Sequence, residues 1–68
     1  MRYDAEVIGQ NAGIIWRNLS EKGELNITGL EKSAELKKED ILLALGWLYK
    51  EDKIASKQVG KGIKFYLK

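Results

Sequence analysis

Sixty-eight residues, 44 % of them hydrophobic and 32 % charged, have the balance of a compact folded chain, and the length leaves room for one domain, residues 1–68. Cysteine, histidine and proline are all absent, which removes disulfides, thiolate nucleophiles, imidazole bases and the usual zinc ligand sets; no metal, no cofactor and no enzymatic activity is expected. The formal charge is only +2 but is unevenly spread: residues 1–52 hold seven Lys or Arg against ten Asp or Glu, net −3, whereas residues 53–68 hold five Lys and no acid, net +5.

The amino-terminal stretch Met1 to Glu6 lacks the apolar core of a signal peptide, and the longest apolar run, Ile41 to Tyr49, is too short to span a bilayer, so a cytoplasmic protein is expected. Residues 4–22 read as a helix, because Ile8, Ala12, Ile15 and Leu19 recur on one face, with Asp4 as N-cap and Lys22-Gly23 as its stop. Trp16 lies near that stripe and is expected in the core. Ala5, Gly9 and Gly13 form a second row of small residues, which predicts close packing within the fold ahead of a contact between two copies. Glu24 to Ile27 alternates as a brief strand. Thr28 then serves as N-cap with Glu31 as its capping-box partner, starting a short helix from Gly29 to about Ala34. A third helix starts between Lys37 and Glu39, buries Ile41, Ala44, Leu45 and Leu48, and ends around Glu51-Asp52. The period then changes to two: Ile63, Phe65 and Leu67 mark a half-buried strand, Ile54 to Val59 a weaker partner, and Gly60-Lys61-Gly62 the hairpin turn between them.

Helix, short strand, short helix, helix and a two-stranded hairpin with a basic tip form an α+β order that resembles a winged helix-turn-helix domain over nearly the whole chain. The most specific part is Ile41 to Ile54, which is similar to the family's third helix running into the first wing strand. The Leu45-Gly46-Trp47-Leu48 segment further resembles a small family of free-standing bacterial winged-helix proteins without an assigned role. The resemblance implies a DNA partner, with the third helix in the major groove and the wing along phosphates. Carried over by position, the contact residues are Lys37, Lys38 and Lys50 on or near the third helix, and Lys57, Lys61 and Lys64 on the wing. Lys61, at the turn tip, is the leading candidate; the competing reading is a lysine-rich hairpin that is simply a solvated surface.

One feature departs from that pattern. Base discrimination needs directed hydrogen bonds from side chains such as Arg, Asn or Gln, yet 100° per residue places Leu43 and Trp47 off the core stripe with Leu42 and Gly46 on its flank. Glu39 and Asp40, in the first turn, would repel phosphate. Leu42, Leu43, Gly46 and Trp47 therefore form a candidate protein interface, since Trp is enriched at binding hot spots and Gly permits close approach. Trp47 has two other uses open to it: core, folded over the wing or the first helix, or stacking on a nucleotide. Two functions follow. The first is a DNA-binding, transcriptional-regulator-like protein that grips phosphates through its wing as a homodimer. The second is an interaction module whose Leu43/Trp47 face docks on itself or on another protein, with no direct nucleic-acid role.

Overall fold

In the computed structural model, which describes residues 3–68, helix α1 runs from Ala5 to Lys22. Met1 and Arg2, part of the segment read as lacking a leader's apolar core, lie outside the described residues. Asp4 keeps an extended backbone and its carboxylate accepts the Val7 N–H at 3.0 Å, so it caps α1 as expected. Gly23 closes the helix with φ 89°, a conformation open to it because it has no Cβ, and its N–H donates to the Leu19 carbonyl at 2.8 Å. Ala12, Ile15 and Leu19 are buried along one side. Trp16 is not: it is 43 % exposed, because a residue one step past Ile15 is rotated about 100° away from the stripe.

Strand β1, Glu24–Leu25, leads into α2, Ile27–Ala34, which starts two residues earlier than the Thr28 cap predicts. Asn26 is the cap, its Oδ1 accepting the Gly29 N–H at 2.7 Å, and Thr28 sits exposed inside the first turn. A short polar side chain at Asn26 reads equally as the polar half of a strand alternation, which is why the pattern concealed it. A Cβ at Gly29 would lie 3.1 Å from Asn26 Oδ1 and 3.2 Å from the Leu25 side chain, so a larger residue there would have to push the capping side chain or Leu25 aside by a few tenths of an ångström. Asn26→Ala is expected to cost about 1 kcal/mol by chemical denaturation, and Thr28→Ala less than about 0.5 kcal/mol. The reverse order would restore Thr28 as the cap.

Helix α3, Lys38–Lys50, buries Ile41, Ala44, Leu45 and Leu48, the predicted stripe. Its end has no glycine. Asp52 takes the left-handed conformation at φ 59°, and the N–H groups of Asp52 and Lys53 donate to the carbonyls of Tyr49 and Leu48, both at 3.0 Å. That pair of bonds is the Schellman arrangement, with Asp in the role Gly usually fills because its short side chain tolerates positive φ.

Strands β2, Ile54–Val59, and β3, Gly62–Leu67, pair antiparallel from Ile54 opposite Leu67 to Val59 opposite Gly62. The turn is therefore the two residues Gly60 and Lys61, with φ 61° at Gly60, and Gly62 belongs to the strand. β1 adds to the other edge of β3, Glu24 opposite Tyr66 and Leu25 opposite Phe65, so the sheet order is β1-β3-β2. Leu25, Phe65 and Leu67 face the helices and pack against a core of Ala12, Ile15, Leu19, Leu30, Ile41, Ala44, Leu45, Leu48 and Ile54. Ser33 Oγ donates to Asn18 Oδ1 and ties α2 to α1 at the rim. The layout is that of a winged helix: three helices and a three-stranded antiparallel sheet whose long hairpin is the wing.

Candidate nucleic-acid interface

Residues directly opposite in an antiparallel ladder point to the same side of the sheet. With Leu25, Phe65 and Leu67 facing inward, the register places Glu24, Tyr66, Lys57 and Lys64 together on the outward face of the wing. Lys57 and Lys64 are direct partners, one on each strand. Two ammonium groups in that position repel, and the third strand supplies the counter-charge. Lys57 Nζ donates to Glu24 Oε2 at 2.5 Å, and the same ammonium lies 5.7 Å from the centroid of the Tyr66 ring, within cation–π range.

The hydrogen bond from Lys57, reinforced by its charge and by that of Lys64, lowers the Glu24 pKa below the ordinary 4.5, against a smaller opposing effect of desolvation. The same contact raises the Lys57 pKa above 10.5. A carboxylate with a depressed folded pKa adds stability above its unfolded pKa and loses that contribution as pH falls through the folded one. A lysine with a raised pKa adds it below its unfolded value and loses it as pH rises through the folded one. The pair is thus intact from above pH 4.5 to below pH 10.5 and fails on both sides. In a carboxyl NMR titration, the Glu24 midpoint is expected below 4.5 and should move back toward that value in Lys57→Ala. A midpoint that ignores the substitution would dissolve the pair.

Lys61 is exposed on the turn. Beside it, the side of the hairpin tip and the start of α2 frame an open groove of about 300 Å³, lined by Asn26, Ile27, Thr28, Lys61, Gly62 and Ile63. The proximity of the wing tip to the α2 cap has no signature in the chain order, since the two are separated by more than thirty residues. Near the other end of the wing, Lys68 Nζ donates to Asp52 Oδ1 at 2.5 Å, and Lys53 lies 3.8 Å from Glu51. Among the described residues, Lys37, Lys38, Lys50, Lys61 and Lys64 form no ion pair with a protein carboxylate. Of the three wing lysines singled out from sequence, then, one is engaged and two are open.

On α3, Lys37 and Lys38 are exposed at the amino end and Lys50 at the other, about 18 Å away at 1.5 Å per residue. Between them the outward face is apolar: Leu42 is 47 % exposed, Leu43 39 % and Tyr49 42 %, with open space around Gly46. Tyr49 leans toward the sheet, its ring edge-on to Phe65 at 6.4 Å. Trp47 behaves differently from its three neighbours in the candidate interface. It is half-buried against the core and its ring lies over α1 at Gly9, where a Cβ would be 3.4 Å from Trp47 Cζ2. Gly9 therefore has the packing role expected of the small-residue row, whereas Gly13 faces open space and Ala5 is exposed.

Among the described residues no cluster of acidic side chains is arranged to hold a metal ion, and no helix is long and apolar enough to cross a membrane. The family model described as Winged helix-turn-helix domain (DUF2582) matches residues 1–67. The solution NMR structure of protein BT2368 from Bacteroides thetaiotaomicron is similar at 31 % identity and a TM-score of 0.86, over 97 % of this chain and 80 % of that one. A structure of HOP2, described as giving insight into its DNA recognition and protein interaction domains, is similar at 30 % identity and a TM-score of 0.68, over 85 % of this chain and 98 % of that one. BpsR of Bordetella bronchiseptica, whose DNA binding is described as regulated by 6-hydroxynicotinic acid, shares the fold at 9 % identity and a TM-score of 0.81, over 97 % of this chain and 52 % of BpsR. No curated protein shows significant similarity to the chain.

Proposed function

Because the chain belongs to the winged helix-turn-helix domain family DUF2582, we propose that it binds double-stranded DNA by laying its wing along the phosphate backbone. The observation that carries this reading is the state of the wing lysines: among the described residues, Lys61 on the turn and Lys64 on the outward face form no ion pair with a protein carboxylate. Phosphates are the counter-charge such a face fits, and each one neutralised releases counterions and steepens the salt dependence of affinity by about 0.9. Lys37, Lys38 and Lys50 add contacts from α3. The described DNA recognition of HOP2, over a matching length, supports the same use of the fold. Sequence readout is weak, because Leu42, Leu43 and Gly46 stand where base-edge donors and acceptors would be needed. On this reading the protein regulates transcription with modest site preference.

The test is an amide-resolved NMR titration with a short mixed-sequence duplex at low and then physiological salt. Salt-sensitive shifts along residues 57–64 are expected, extending to Lys37, Lys38 and Lys50. Silence along the wing at low salt would remove the wing contacts, and silence throughout would remove DNA binding.

The exposure of Leu42, Leu43 and Tyr49 beside the open Gly46 favours a second reading, compatible with the wing contacts of the first but not with α3 lying in the groove. The α3 face docks on a second copy, leaving two wings free to contact DNA. Sedimentation should then give a dimer mass that Leu43→Lys converts to monomer without unfolding. A monomer at all concentrations would leave this face without the role.

A further inference from the structure

The outward wing face carries one acidic side chain set directly among its cations, and its position is specific. Glu24 reaches across β3 from the opposite edge of the sheet to meet Lys57 on β2, at 2.5 Å, beside the Tyr66 ring. Its charge also acts on Lys64, which is the ladder partner of Lys57. A carboxylate in that place supplies what a DNA phosphate would: an oxygen anion hydrogen-bonded to Lys57, next to a second ammonium group.

We propose that Glu24 is an internal competitor for phosphate that masks Lys57 and so sets the strength and salt dependence of DNA binding by the wing. This rests on the DNA-binding reading above. A phosphate must displace the Glu24 carboxylate to reach Lys57, so while the pair holds Lys57 neutralises no phosphate and releases none of the cations condensed on the DNA. Lys61 and Lys64 then make the first contacts, and Lys57 joins only by breaking its bond to Glu24. The pair is solvent-exposed, with side-chain accessibilities of 48 % and 40 %, so the exchange is shallow and the device attenuates binding without abolishing it.

The experiment measures duplex affinity by fluorescence anisotropy across a salt series for the wild type, Glu24→Gln, Lys57→Ala and the double variant. Glu24→Gln keeps the side-chain shape and removes the charge. It is expected to tighten binding about two- to five-fold and steepen the salt slope by up to about one unit. Because Lys57→Ala in the wild type also unpairs Glu24, the masked contact is read against Glu24→Gln: the double variant should bind several-fold more weakly than Glu24→Gln and lose the added slope. Glu24→Thr, with good strand propensity, should reproduce the gain and so separates lost charge from lost strand pairing. Equal affinities and slopes in wild type and Glu24→Gln would overturn the masking while leaving DNA binding intact. Binding by Glu24→Gln alone would support the masking and correct the reading of the wild type. Absence of binding by both would overturn the two together.

Discussion

Lys61→Ala combined with Lys64→Ala is expected to weaken duplex binding by about one to two orders of magnitude at 0.1 M salt and to flatten the salt slope by nearly two units. The size follows from counterion release, since each phosphate contact is worth roughly one decade of affinity at that ionic strength. Neither residue forms an ion pair with a protein carboxylate among the described residues, so neither substitution breaks a salt bridge. Thermal stability and oligomeric state should be unchanged. Anisotropy titrations at several salt concentrations read both quantities at once, and an unaltered slope would take Lys61 and Lys64 out of the interface. The same substitutions should weaken all sequences alike, because contacts to the backbone position a protein without reading bases.

The largest effect on stability is expected at Leu30→Ala. Leu30 is 0 % exposed and is the buried residue of the eight-residue helix α2, so truncating it leaves a cavity and loosens the helix from α1 and α3. Large-to-small changes of this kind cost about 2–5 kcal/mol, whereas total stability runs at roughly 0.05–0.15 kcal/mol per residue. A chain of 68 residues has little beyond that to lose. The melting temperature should fall by at least about 10 °C, at roughly 4–8 °C per kcal/mol for a domain this size. Leu42→Ala, at a position 47 % exposed, should move it far less in a monomer. A comparable drop at Leu42 would mean that its face is covered by a partner, which ties the stability measurement to the dimer reading.

Much of this molecule is legible from residue order, for local reasons. Asp4, the Ile15/Leu19 stripe, the Ile41/Ala44/Leu45/Leu48 stripe and the period-two wing each rest on contacts within a few residues, where periodicity and capping chemistry are strong signals. The misreadings are equally local in origin. Thr28 reads as a cap because Asn26 fits the polar half of a strand alternation, and two polar residues two apart both have the chemistry to start a helix. Trp16 reads as core because a stripe has soft edges, and only the packing of neighbouring elements decides which side of it is covered.

What sequence alone determined is the order of helix, short strand, short helix, helix and hairpin, the apolar outward face of α3 and the concentration of positive charge after residue 52. Those are properties of spacing and composition. Tertiary structure alone decided which charges remain available. Glu24 and Lys57 are more than thirty residues apart, and only the placement of β1 on the far edge of β3 brings carboxylate and ammonium into contact. In the same way only the crossing of α3 over α1 sets Trp47 on Gly9 and so removes most of it from the surface. Pairing across a sheet and packing between helices depend on how separate elements dock, and no local period in the chain encodes that.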